Sequence, residues 1–170
     1  MEELKLINDD DIEEFSFKNM NITGKVTSVY DADTCKVCFY YGKNIIKINC
    51  RLYGIDSPEI KPSKKKENRE LEKKASKIAR NKLIQLVTDC NIELKKQYKK
   101  KEIKEIMKNN RKLMSILLMN GDKYGRVLIK IYDKEKKCIN DVLIKEGVAC
   151  YYGGGTKEND FMKWFNNDLL

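Results

Sequence analysis

Residues 45–53 alternate Ile46, Ile48, Cys50 and Leu52 with Lys47, Asn49, Arg51 and Tyr53. A period of two marks a strand with one dry and one wet face, and it places Arg51 opposite Leu52. Two strands are expected before it. Residues 24–30 are rich in β-branched and aromatic side chains, and the pattern resumes over 34–41 after an aspartate-rich turn. Gly42-Lys43-Asn44 supplies the hairpin turn into the third strand.

The period then lengthens. Leu71, Ala75, Ile78, Ala79, Ile84 and Val87 recur at helical spacing, so 68–87 is expected to be an amphipathic helix with a lysine- and arginine-rich outer side. Further on, 91–96 reads as a short strand and 98–111 as a short helix or a mobile loop. Residues 112–120 read as a strand or its extension. After the turn at Asn120-Gly121-Asp122, a strand returns over 123–133 through Val127, Ile129 and Ile131. A second helix is expected over 139–146. Gly153-Gly154-Gly155 then breaks the chain before a short tail helix containing Phe161, Trp164 and Phe165.

Three strands, a helix, two strands and a helix define an α+β chain. The arrangement expected is a five-stranded OB-type Greek-key barrel with flanking helices. There is no internal repeat. The expected organisation is an acidic arm over 1–20 and a barrel domain over 21–170, with a lysine-rich insertion near 98–120.

Composition narrows the partners. The formal net charge of the 170 residues is +9, with 36% charged residues, a balance that fits either a soluble basic domain or a polyanion binder. The charge is uneven: Glu2, Glu3, Asp9, Asp10, Asp11, Glu13 and Glu14 face only Lys5 over 1–14, whereas 61–82 and 95–112 are basic. The arm is a solvated tail or a competitor for the basic face.

The chain has no histidine. That excludes histidine general bases, His-ligated zinc and the usual serine or cysteine protease dyads. The six cysteines, with no apparent signal peptide, suit a reduced, cytoplasmic setting and small buried apolar roles. Cys35 and Cys38 match C-x-x-C spacing, but in a strand residues three apart face opposite ways. No apolar stretch approaches the ~20 residues that span a membrane.

Three clusters carry candidate chemistry: Asp31-Ala32-Asp33-Thr34, then 51–59 from Arg51 through Asp56-Ser57-Pro58-Glu59, then Asp122-Lys123-Tyr124-Gly125-Arg126. Carboxylate oxygens suit a hard cation, a further carboxylate can activate water, and guanidinium forks match phosphate oxygens. Singly, each aspartate also reads as a turn residue and each arginine as a surface charge.

Taken in order, the clusters resemble the staphylococcal (micrococcal) thermonuclease family, over roughly residues 24–152. The resemblance implies an OB-type barrel and a Ca²⁺-dependent endonuclease that cleaves DNA and RNA, leaving 3′-phosphate and 5′-hydroxyl ends. It implies Asp33, Asp56 and the Ser57 carbonyl as calcium ligands, with Asp31 just outside them. Glu59 corresponds to the general base, and Arg51 and Arg126 to phosphate contacts. Lys123, Tyr151 and Tyr152 correspond to substrate contacts. A monomer acting on single-stranded nucleic acid, away from membranes, is expected. Ala32 replaces a common glycine and Ser57 a common threonine, and the insertion lengthens the segment before Arg126. Two other readings remain open: a noncatalytic nucleic-acid-binding OB-type module, and an interaction module whose lysine-rich insertion docks an acidic partner.

Overall fold

The alternating segments close on themselves. In the computed structural model, which describes residues 3–156, 158 and 160–170, the chain runs β1 (Met20–Val29), β2 (Thr34–Tyr41), β3 (Asn44–Leu52), β4 (Ile55–Asp56), α1 (Arg69–Val87), α2 (Lys100–Asn109), β5 (Met114–Gly121), β6 (Val127–Tyr132), α3 (Ile139–Lys145) and β7 (Cys150–Tyr151). Five strands form a closed barrel in the order β1-β2-β3-β6-β5, and β4 and β7 make a small separate pair. This is the OB-type α+β fold that the pattern implies. All barrel seams are antiparallel except β3–β6, a short parallel pairing of Cys50, Arg51 and Leu52 with Val127, Leu128 and Ile129.

Alternation fills the barrel. Val26, Val37, Leu52, Ile116, Leu118, Ile129 and Ile131 are buried, and fully burying an aliphatic side chain of this size stabilises by about 1.5–3 kcal/mol. Leu52 is fully buried while Arg51 is not. Cys35 and Cys50 are register partners inside this core, and all six cysteines are free. A hydrogen bond to Cys50 and burial push the Cys35 thiol up, so it behaves as an apolar filler.

Two expected elements differ. Residues 91–96 form no strand. The buried Asn81 of α1 takes a strand neighbour's place: its Nδ2 donates to the carbonyls of Leu94 and Lys96 at 3.0 and 2.9 Å. The tail is two 3₁₀ turns, Phe161–Lys163 and Asn167–Leu169, rather than one helix. Phe161 and Phe165 are buried against the core.

The two-way expectation for 98–111 resolves as a helix. The Lys99 N–H donates to Glu102 Oε2 at 2.7 Å, satisfying a donor at the start of α2. Ile103 and Met107, four apart, are buried, and α2 packs on β1. At the N-terminus, Phe15 packs edge-on against Tyr41 and Phe17 against Phe39, tying the end of the arm to β2. Met1 and Glu2 lie outside the described residues. Among the described residues, no helix is long and apolar enough to cross a membrane.

Candidate active site

A cleft of about 670 Å³ opens where the β1–β2 turn, the end of β3, the β5–β6 turn and Gly153–Gly155 meet. Asp31, Asp33, Arg51, Glu59, Lys123 and Arg126 all line it. They come from three stretches far apart in sequence, and barrel closure brings them together.

The floor is built around Arg51. Its position on β3 puts the guanidinium on the wet face, where Nη1 lies 2.9 Å from Asp33 Oδ2 and Nη2 lies 2.9 Å from Asp56 Oδ1. Nη2 also donates to the Ile55 carbonyl at 3.2 Å. The backbone behind these groups is locked: the Leu52 N–H donates to Asp33 O and the Tyr53 N–H to Ile129 O, each at 2.8 Å. Between β3 and β4 the chain turns at Gly54, whose φ of +78° favours glycine. The Gly54 carbonyl in turn accepts the Tyr152 N–H at 2.9 Å.

This floor is rich in carboxyl groups. Asp31, Asp33 and Asp56 are all buried. The Asp33 N–H donates to Asp31 Oδ1 at 3.3 Å, and Thr34 Oγ1 donates to Asp33 Oδ1 at 2.8 Å. Burial, reinforced by the neighbouring Asp33 charge, pushes Asp31 up to about 8. Burial also raises Asp33, against the pull of Arg51. Arg51 itself is desolvated, yet the surrounding carboxylates raise its pKa further. One guanidinium among three buried carboxylates leaves the floor short of positive charge. Among the described residues, no group of three or more acidic, histidine or cysteine side chains converges closely enough to hold a metal ion. Carboxylates here are at most part of a coordination shell.

The opposite lip is the β5–β6 turn. Asp122 organises it: Oδ1 accepts the Tyr124 and Arg126 N–H groups at 2.9 and 3.0 Å, and Oδ2 accepts Arg126 Nε at 2.8 Å and pairs with Nη2 at 2.7 Å. Burial acts to raise Asp122, but these bonds outweigh it and hold the carboxyl below the usual range. Arg126 Nη1 reaches across to Thr34 Oγ1 at 3.3 Å, linking the lip to the aspartate turn. Gly125 has φ +75°, and a Cβ there would meet nothing within 4 Å. Its glycine therefore serves the turn conformation rather than a close approach of backbone to the site. The insertion before Arg126 leaves it in the cleft.

Glu59 is exposed on the third side. The loop that carries it is fastened from behind: the Glu59 N–H donates to Glu72 Oε1 at 3.3 Å, and the buried Glu72 pairs with Lys66 at 2.6 Å. Tyr152 lines the cleft with its ring centroid 5.8 Å from the Arg51 guanidinium, within cation–π range. Tyr151 is exposed and does not line the cleft, so the structure brings only one of the tyrosine pair to the site. Asp56 and Ser57 sit behind Arg51, buried and off the cleft surface. The Ser57 hydroxyl is buried without a hydrogen-bond partner among the described residues.

Several supporting residues escaped sequence reasoning. Asn140 is buried; its Nδ2 donates to the carbonyls of Tyr53 and Ile129 at 2.9 and 3.1 Å, and its Oδ1 accepts the Ile131 N–H at 3.2 Å. It bolts the end of β3 to β6. Glu72 was equally unmarked, and Thr34 and Tyr124 were marked only as members of their clusters, with no role given to either. The available signal was a polar residue at an apolar-period position, as Asn140 is within Ile139–Lys145.

An OB-type barrel whose mouth gathers two arginines, an exposed glutamate and buried aspartates defines a nuclease-like domain. The family model of staphylococcal nuclease homologues matches residues 49–166, well over half the chain, and the protein belongs to that family. The match begins within β3, so Asp31 and Asp33 join the site through geometry. No curated protein matches the chain.

Proposed function

We propose that the protein is a calcium-dependent endonuclease that hydrolyses DNA and RNA to 3′-phosphate and 5′-hydroxyl ends. The observation that carries this reading is the convergence of Arg51, Arg126 and Glu59 on one cleft. Oxygen-only donors and the excess of buried carboxylate around Arg51 suit a hard cation, with waters and substrate oxygens completing the shell. Asp33, Asp56 and the Ser57 carbonyl would hold it, with Asp31 just outside that set. Bound calcium supplies positive charge for a non-bridging phosphate oxygen.

Arg51 and Arg126 approach from opposite sides and donate N–H groups to the phosphate oxygens as charge builds there. Glu59 orients a water and accepts its proton. The water oxygen bonds to phosphorus while the bond to the 5′-oxygen breaks, and that oxygen takes a proton from solvent as it leaves. Lys123 and Tyr152 flank the cleft where the strand enters, and an aromatic ring there offers a stacking surface to an unpaired base. That favours a single-stranded substrate, bound by a monomer.

Cleavage of end-labelled single-stranded DNA and RNA with Ca²⁺, Mg²⁺ or chelator, followed by end-group analysis, tests the proposal. Cleavage in Ca²⁺ with 3′-phosphate ends is expected. Salt-sensitive binding without cleavage in any metal overturns it in favour of a binding module. Glu59→Gln is expected to lower the single-turnover rate about 10²–10⁴-fold with binding kept; an unchanged rate removes Glu59 from the base role.

A further inference from the structure

A second groove, of about 810 Å³, lies between α2 and the outer face of β1–β3. Among the described residues, no aspartate or glutamate lines it. The barrel contributes Lys25, Lys36 and Lys47. The helix contributes Lys100, Lys104 and Lys108, spaced at i, i+4 and i+8 along one side and exposed. Ile103 and Met107 pin that helix to the barrel, so the row of lysines is presented on a fixed support.

Arg80 gives the groove a built feature. It lies on α1, lines the groove, and is only 9% exposed. Its Nη2 donates to Asn81 Oδ1 at 3.1 Å, but its buried Nε has no hydrogen-bond partner, and no ion pair links it to a carboxylate among the described residues. A buried cation without a counter-charge is costly unless a ligand supplies one. Its pKa is lowered by burial alone.

The groove is continuous with the cleft. Tyr30 lines both, and Ile60 and Lys61 line the groove immediately after Glu59 lines the cleft. We infer that this groove is a second phosphate-binding track, in which a single strand of nucleic acid leaving the cleft past Tyr30 runs between α2 and the barrel, with one phosphate seated on Arg80. Successive lysines on α2 rise by about 6 Å, a step suited to an extended phosphodiester backbone. The inference rests on the cleft taking a nucleic-acid strand; it does not require that the strand be cut.

The test therefore measures binding in chelator. The probes are an oligothymidylate of roughly 20 nucleotides, longer than one OB fold's usual site, and a dinucleotide that fills only the cleft. With Lys100→Glu, Lys104→Glu and Lys108→Glu combined, long-strand affinity should fall about 10-fold or more, and the slope of log affinity against log salt should shrink by about 2. Dinucleotide affinity should change less than about 2-fold, on the order of experimental scatter in a fold-change of this kind. Arg80→Met separates function from folding. It should weaken the long strand while leaving the melting temperature equal or higher, because it removes a buried unpaired charge. Unchanged long-strand affinity and salt slope in the folded variants overturns the track. So does an equal loss for both probes, or loss of poly-glutamate binding with oligonucleotide binding intact, which would assign the groove to acidic polypeptides.

Discussion

Arg51 and Arg126 bring the same guanidinium to the same cleft, but the chain holds them in opposite ways. Arg51 stands on a barrel strand, its side chain 11% exposed, clamped between two buried aspartates. Arg126 hangs from a turn, 24% exposed, held by the one carboxylate of its own loop and a single hydroxyl across the cleft. The first is part of the core's electrostatics; the second is an attachment. A residue that neutralises buried carboxylates cannot be altered without disturbing them, whatever else it is proposed to bind, whereas a turn arginine can.

The sharpest break is Arg51→Ala. It leaves Asp33 and Asp56 buried without their cation, so stability should fall by about 3–5 kcal/mol, read by urea unfolding, and cleavage should be lost along with the fold's tightness. Stability within about 1 kcal/mol of the parent would show that the aspartates do not need Arg51. Arg126→Ala should cost about 10²–10³-fold in single-turnover cleavage but less than about 1 kcal/mol of stability. Equal stability losses for the two variants would erase the distinction.

Asp122→Asn is a smaller step. The amide oxygen can still accept the turn's N–H groups, but the charge that aims Arg126 is gone, so cleavage should fall about tenfold, equivalent to one charge-assisted bond of about 1.4 kcal/mol. Binding of long single strands should be nearly unchanged. The smallest effect is acid release of the turn. Asp122 has a depressed folded pKa, so its stabilisation is present above the unfolded carboxylate value and is lost as pH falls through the folded one. Amide resonances of Tyr124 and Arg126 should therefore shift together only below about pH 3.9, the ordinary aspartate value; a transition above it contradicts the latch.

The same contrast explains what the sequence made legible. Arg51 opposite Leu52 follows from strict alternation, because a period of two fixes the face of every residue in a buried-on-one-side strand. Strand β6 follows for the same reason through Val127, Ile129 and Ile131, and helix α1 follows from its own longer period. The segment 91–96 misled because Ile92 and Leu94 have strand-like spacing, while the groups that satisfy its backbone come from Asn81, a tertiary partner no local pattern encodes. Likewise Asp31, Asp33 and Glu59 were legible as candidates, but their support was not. Asn140 and Glu72 act through contacts 87 and 13 residues away. The choice between Tyr151 and Tyr152 depends on how the chain leaves the β4–β7 pair, where the Tyr152 N–H is held by the Gly54 carbonyl, a tertiary contact that no local pattern encodes.

The β3–β6 pairing has a consequence in time. It is the shortest seam of the barrel and the only parallel one, and it joins residues 50–52 to 127–129. Contacts so distant in sequence carry a loop-closure penalty and form late. A copy still on the ribosome can display Asp33, Arg51 and Glu59 long before Arg126 and Tyr152 exist. The lip and the seam can be completed only after the later strands have emerged. The order of the chain thus keeps the two arginines apart until residues 127–129 can join the end of β3.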